Sequence, residues 1–219
     1  MRFALIQIGL GVALIALAIL IGEWALFLLW PGWSVLIVGI AYLNGGPGVF
    51  GKRLDGRLRW LNLVVLWPYF LVAWTLWQLK SRGGESPHDE VAPGIIVGRR
   101  PLDEREMPSD ATVVVDLTSE FARAPSSRRV DRYVCLPILD TRAPDDEAFR
   151  ALIDDIEDAD GPIFVHCAMG HGRSATVAAA LMIRRGLAKD VETAIAQMTE
   201  ARPGVYLHRN QREAVARLS

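Results

Sequence analysis

The stretch Ile163 to Thr176 reads Ile-Phe-Val-His-Cys-Ala-Met-Gly-His-Gly-Arg-Ser-Ala-Thr and sets a thiol, Cys167, five residues ahead of a guanidinium, Arg173. The apolar lead-in predicts a strand, Gly170 and Gly172 a tight loop, and the small residues after Ser174 a helix. A loop that opens a helix points several backbone N–H groups at one place, where the helix dipole adds partial positive charge. An anion is expected in that cradle. The same field favours the thiolate form of Cys167, and Arg173 offers a planar fork for two phosphate oxygens. The chemistry implied is nucleophilic attack on phosphorus. A buried strand cysteine beside a helix-start arginine is the bland alternative, but it would not need the glycines.

Elements that would position this loop are found only in the later part of the chain. All seven Trp precede residue 80. Residues 1–79 hold five basic residues (Arg2, Lys52, Arg53, Arg57, Arg59) against two acidic ones (Glu23, Asp55), whereas the remainder holds 19 basic and 23 acidic. We therefore expect a membrane region over 1–80, a polar linker over 81–93 and a catalytic domain over 94–219. In the last of these, Ile95 to Val97, Thr112 to Asp116, Asp131 to Leu139 and Pro162 to His166 read as strands. Helices are predicted after Pro144, from Ser174 to Arg185, after the cap Asp190, and from Arg209 to Leu218. Alternation of strands and helices implies an α/β fold with a mainly parallel sheet flanked by helices and a ligand site at the carboxyl ends of the strands.

Phe3 to Ile21 and Trp24 to Leu43 are uncharged but for their flanks and each about the ~20 residues needed to cross a bilayer. They meet at Gly22-Glu23, so a tight helical hairpin is expected. A third apolar run, Leu61 to Leu79, carries Pro68; it either spans or is re-entrant, broken at Trp67-Pro68. The basic loop between residues 44 and 60 belongs in the cytoplasm by the positive-inside bias. A multi-pass membrane protein with its catalytic domain in the cytoplasm is the expectation, a reducing compartment also suiting a catalytic thiolate.

The run His166-Cys167, five residues, Arg173-Ser174 resembles the signature loop of the cysteine-based protein tyrosine and dual-specificity phosphatases. The resemblance extends from Gly94 to the C-terminus: Ile95 to Pro101 is similar to the family's opening strand and Gly-x-x-Pro turn. Arg202-Pro203-Gly204-Val205-Tyr206-Leu207 with Gln211 is similar to the end of the mitochondrial-type phosphatidylglycerophosphate phosphatases. The N-terminal third lies outside the resemblance. What it implies is a two-step hydrolysis through a phosphocysteine, with an upstream Asp as acid and then base. Asp140, 27 residues before Cys167, is the candidate; Asp145 and Asp146 are rivals better suited to starting a helix, and Asp116 reads as a structural acceptor. By the same resemblance Ser174 donates to the departing thiolate, and His166 orients the loop and helps hold the cysteine ionised. Ala168, Met169, Gly170, His171 and Gly172 are the substrate-binding candidates, His171 either meeting a second phosphate or headgroup or standing in solvent.

Cys135, the only other thiol, reads as a core residue or as a backdoor partner for Cys167. No Cys/His cluster has ligand spacing, so neither metal nor cofactor is expected. The acidic balance of the later part argues against nucleic acid. The partners expected are the bilayer and a phosphorylated substrate. Three readings follow: a membrane-held phosphatase of a lipid phosphomonoester, phosphatidylglycerophosphate by resemblance; a membrane-anchored phosphatase of phosphoproteins; and a silent phosphate-binding module.

Overall fold

The computed structural model describes residues 2–218. Its centre is a five-stranded sheet in the order β1-β2-β5-β3-β4, built from β1 (His88–Ala92), β2 (Ile95–Arg99), β3 (Val113–Thr118), β4 (Arg132–Ile138) and β5 (Ile163–Cys167). Strands β2, β5, β3 and β4 run parallel, and β1 is antiparallel at the edge. β3 and β5 are buried along their whole length, as central parallel strands must be. Successive residues point to opposite faces. Ile95, Val97, Val115, Val165 and Cys167 pack against the helices α5 (Asp146–Ile156), α6 (Arg173–Arg184), α7 (Val191–Ala201) and α8 (Arg209–Leu218). Ile96, Val114 and Phe164 meet Met107, Val130 and Tyr133 on the other face. α6 is buried nearly throughout, its run of alanines allowing close approach to the sheet.

The N-terminal third forms α1 (Arg2–Ile21), a six-residue 3-10 turn, and α2 (Leu29–Asn44). α1 and α2 lie against each other as the expected hairpin. Gly11 and Gly32 sit where they cross; a Cβ on either would press into the other helix, so glycine brings the backbones together. Arg2–Ile21 and Glu23–Asn44, with mean hydropathies of 2.7 and 1.9, are long and apolar enough to cross a membrane. Their outer faces are bare, with Ile6, Leu20 and Phe27 at 67%, 84% and 70% exposure.

The third apolar run does not form one span. It is divided into α3 (Trp60–Val65) and α4 (Trp67–Ser81), with Pro68 in the first turn of α4, where its missing N–H costs nothing. α4 lies on the catalytic part. Trp74 Nε1 donates to Glu120 O at 2.9 Å, and the rings of Trp74 and Trp77 pack on Phe121. A small core of Val38, Tyr42, Phe50, Leu66 and Phe70 takes in Leu139 from the end of β4.

Residues 81–93 were expected to be only a linker, and here the structure corrects the reading. Its second half is β1, paired to β2 from His88↔Gly98 to Ala92↔Ile95. The charges of Asp89 and Glu90 hide the strand pattern, yet charge is what an exposed sheet edge carries to discourage further pairing.

Candidate active site

β5 ends at Cys167, residues 168–172 turn, and α6 begins at Arg173. Each carbonyl of the turn is drawn outward by a donor. Trp77 Nε1 donates to Ala168 O at 2.8 Å. Arg202, itself buried, donates from Nη2 to Met169 O at 3.1 Å and from Nε to Gly170 O at 2.9 Å. Tyr206 N–H reaches His171 O at 3.3 Å, and Thr176 N–H reaches Gly172 O at 2.9 Å. In a planar trans peptide the carbonyl and the next N–H point in opposite directions, so holding these oxygens out turns the N–H groups of residues 169–173 in. Gly170 N–H donates to Cys167 Sγ at 3.2 Å. Gly170 has φ +77° and a Cβ there would run into the backbone of Gly98, so only glycine fits. Cys167 is 3% exposed, with Ser174 Oγ 3.5 Å from its sulfur.

Arg173 is held from behind. Its Nη2 and Nη1 donate to Glu120 Oε1 and Oε2 at 2.7 and 2.9 Å, and Nη1 also to Ile138 O at 2.9 Å, which leaves Nε buried without a partner. Burial pushes the Glu120 carboxyl up, but the Arg173 charge and its hydrogen bonds outweigh this and hold it below its usual range. Asp140 Oδ1 lies 3.4 Å from Arg173 Nη2 on an exposed side chain. The structure thus gathers a thiol, a hydroxyl, inward N–H groups, a guanidinium with a free N–H and a carboxyl around one point, a set suited to a phosphate ester.

Beneath the loop, Asp116 and His166 are paired across β3 and β5, with Asp116 Oδ1 4.0 Å from His166 Nε2. Lys52 of the N-terminal third enters here, its Nζ 2.8 Å from Asp116 Oδ2 and 2.7 Å from both Thr118 O and Thr118 Oγ1. Tyr133 and Thr118 hydroxyls also donate to Asp116. Burial would raise the Asp116 carboxyl, but the charges of Lys52 and His166 and the hydrogen bonds hold it far below its ordinary range. His166, buried and facing the Lys52 cation, is held down to about 4 despite the Asp116 charge.

The remaining candidates separate. Asp145 caps α5 by accepting from the N–H groups of Glu147 and Ala148, and Asp146 pairs with Arg217 on the surface. His171 Nε2 meets Glu85 Oε1 at 2.6 Å rather than standing free in the mouth. Cys135 faces the Asp116 side of the sheet while Cys167 faces the helices, with β3 between their strands. Two strand spacings are about 10 Å, beyond the ~7 Å Cα separation that a disulfide bridges. Burial pushes the Cys135 thiol up to about 11. Among the described residues no His/Cys/Asp/Glu group could hold a metal ion.

Sequence reasoning missed Glu120, Lys52, Arg202 as a loop clamp, and Trp77. Glu120 carried a signal, since it lies just past the carboxyl end of β3, where ligand sites form in parallel sheets, and Arg202 opened the segment that carried the resemblance without its role being read. Next to the site is a cleft of about 470 Å³, with Asp140, Ala168 and Met169 at the catalytic end and residues of α1, α2 and α4 along its walls.

Residues 100–217 match the family described as Swiss Army Knife protein, DSP-PTPase phosphatase domain (PTP-SAK). No curated protein matches the chain. Among solved structures, Tk-PTP in its active form is 26% identical with a TM-score of 0.52, over 60% of this chain and 95% of that one. PTPMT1 in complex with PI(5)P is 18% identical with a TM-score of 0.51, over 60% and 94%. The human tyrosine phosphatase-like serine/threonine/tyrosine-interacting protein is 20% identical with a TM-score of 0.50, over 59% and 93%. At such identities the last two speak for the fold alone. The family match spans more than half of the chain and contains the whole nucleophile loop, so this protein belongs to the PTP-SAK family and is a cysteine-based phosphatase of the dual-specificity type.

Proposed function

We propose that this phosphatase is held at a membrane by its N-terminal hairpin and hydrolyses a lipid phosphomonoester, with phosphatidylglycerophosphate the leading candidate. Cys167 Sγ attacks phosphorus in line with the ester oxygen, forming the S–P bond as the P–O bond breaks. Asp140 gives its proton to the leaving alkoxide. The phosphoryl oxygens lie against the N–H groups of residues 169–173 and Arg173 Nε. Asp140, now a carboxylate, takes a proton from water as it attacks the phosphocysteine, and Ser174 donates a hydrogen bond to the departing thiolate. His166 stays neutral under the loop and supports its shape.

The observation that carries the lipid reading is the contact of α4 with the loop: Trp77, in an apolar helix packed beside the bare hairpin, bonds Ala168 next to the nucleophile. A substrate embedded in a bilayer is thereby brought to the cradle, and confinement to the surface raises its effective concentration. With α1 and α2 across a bilayer, both hairpin ends lie on one side. Lys52 of the basic loop is buried against the sheet, so loop and catalytic part share a side, and the bias of basic loops puts both in the cytoplasm.

The test is phosphate release by the full-length protein in mixed micelles from phosphatidylglycerophosphate, phosphatidic acid, PI(5)P and a phosphotyrosine peptide, with Cys167→Ser as blank. A preference for one lipid of ~100-fold in kcat/KM, about 2.7 kcal/mol, is expected. Faster turnover of the peptide would make this a phosphoprotein phosphatase.

A further inference from the structure

We propose that one acyl chain of the substrate lies in the cleft between α1, α2 and α4 while its phosphate is hydrolysed, so that the hairpin is a wall of the active site as well as an anchor. The inference rests on the lipid reading and names the part of the lipid that the protein recognises.

The cleft has two unlike ends. At one, Asp140, Ala168 and Met169 join it to the cradle, and Lys80 stands at the same wall as Trp77. Away from that end it is lined by Leu10 and Leu14 of α1, Val35 of α2, and Val72 of α4. Its lining on α1 runs from Phe3 to Leu14, about 16 Å of helix at ~1.5 Å per residue. Its volume of about 470 Å³ lies within the range of small-molecule sites, ~300–1,000 Å³.

An occupant must therefore be polar and phosphorylated at one end and a long apolar rod at the other. A phosphotyrosine peptide satisfies only the first end, and a partner helix only the second. An acyl chain linked to a phosphorylated headgroup satisfies both. The cleft also opens among helices whose outer faces carry Ile6, Leu20 and Phe27 bare, so a lipid reaches it sideways from the hydrocarbon layer without crossing water. That route passes the break before Pro68, beyond which α4 packs on Phe121 beside the cradle.

The test compares phosphatidic acids with dihexanoyl and dioleoyl chains in mixed micelles, as the ratio of their kcat/KM values. The full-length protein should favour the dioleoyl lipid by tenfold or more. Ala73→Trp and Leu14→Trp, which fill the cleft from opposite walls, should each lower that ratio by about tenfold. A ratio that neither variant moves would overturn the cleft while leaving the lipid reading in place. Failure to hydrolyse any lipid, with a phosphotyrosine peptide turned over, would remove both. Should either variant fail to fold, cross-linking decides: a phosphatidic acid with a diazirine near the chain end, bound to Cys167→Ser and irradiated, should label α1 or α4. Label confined to other segments would exclude the cleft.

Discussion

Lys52 and Asp116 form an ion pair across the boundary between the apolar N-terminal third and the catalytic sheet, Nζ to Oδ2 at 2.8 Å with both side chains fully buried. Removing one partner of such a pair strands the other charge. Lys52→Met should therefore cost about 3–5 kcal/mol, whereas Lys52→Met/Asp116→Leu should recover much of it. Chemical unfolding of both variants in the detergent used for activity checks this.

Stability should fall on acidification, in a window set by two groups under the loop. His166 titrates near 4 when folded against 6.5 when exposed, so between those values the unfolded state binds more protons and stability drops as pH falls. Asp116 is also depressed; its contribution is present above the unfolded carboxylate range and is lost at still lower pH. His166→Gln should flatten the stability profile between pH 6.5 and 4, with the Asp116 limb retained. Thermal melts across pH measure both limbs.

Asp140→Asn should slow substrates with alkoxide leaving groups by about 10²–10⁴ while largely sparing an aryl phosphate with a very acidic leaving group, such as 2,4-dinitrophenyl phosphate, which needs no proton. An equal loss on both would take the acid away from Asp140. Since Asp145 caps α5 and Asp146 pairs with Arg217 on the surface, Asp145→Ala should lower stability by about 1 kcal/mol, Asp146→Ala should change it little, and neither should alter the leaving-group dependence.

Gly170→Ala introduces a Cβ at φ +77° directly against the backbone of Gly98. The loop can accommodate it only by moving, which withdraws the Gly170 N–H from Cys167. Expected are a fall in kcat of at least ~100-fold, in the range of losing one positioned donor, and a lower melting temperature. Stopped-assay phosphate release and calorimetry read the two effects.

Trp77→Phe keeps a ring on Phe121 but deletes the donor to Ala168 O. The carbonyl retains a bond from Arg100 N–H at 3.3 Å, so the cost should be about 1 kcal/mol, at the low end for a lost hydrogen bond. Because that carbonyl helps turn the loop, kcat should fall about tenfold with little change in KM. A rise in KM alone would assign Trp77 to substrate binding instead.

What could be read from the sequence was local. Cys167, Arg173 and Ser174 stand within one turn and its helix, and the caps at Asp145 and Asp190 lie beside the N–H groups that they accept from. Strands β2 to β5 announced themselves by short apolar runs between turn residues. What escaped notice is joined over long separations. Glu120 meets Arg173 at 53 residues' distance, Lys52 meets Asp116 at 64, and Trp77 meets Ala168 at 91. Lys52 in particular looked like one of four basic residues in a membrane-proximal loop, and nothing in its neighbours distinguishes a surface charge from one that inserts under a sheet. β1 was lost for a different reason, since an edge strand exposes the charges that a strand pattern is supposed to lack.

Cys135 and Cys167 lie on opposite faces of the sheet with a strand between them, and the chain has no third cysteine. A peroxide that converts the nucleophile to a sulfenic acid meets no resolving thiol within the molecule. Recovery must then come from a soluble thiol small enough to enter the mouth. The working lifetime of the enzyme under oxidative stress is thus a property of the surrounding reductant pool, and its inactivation should track that pool's poise rather than any internal exchange.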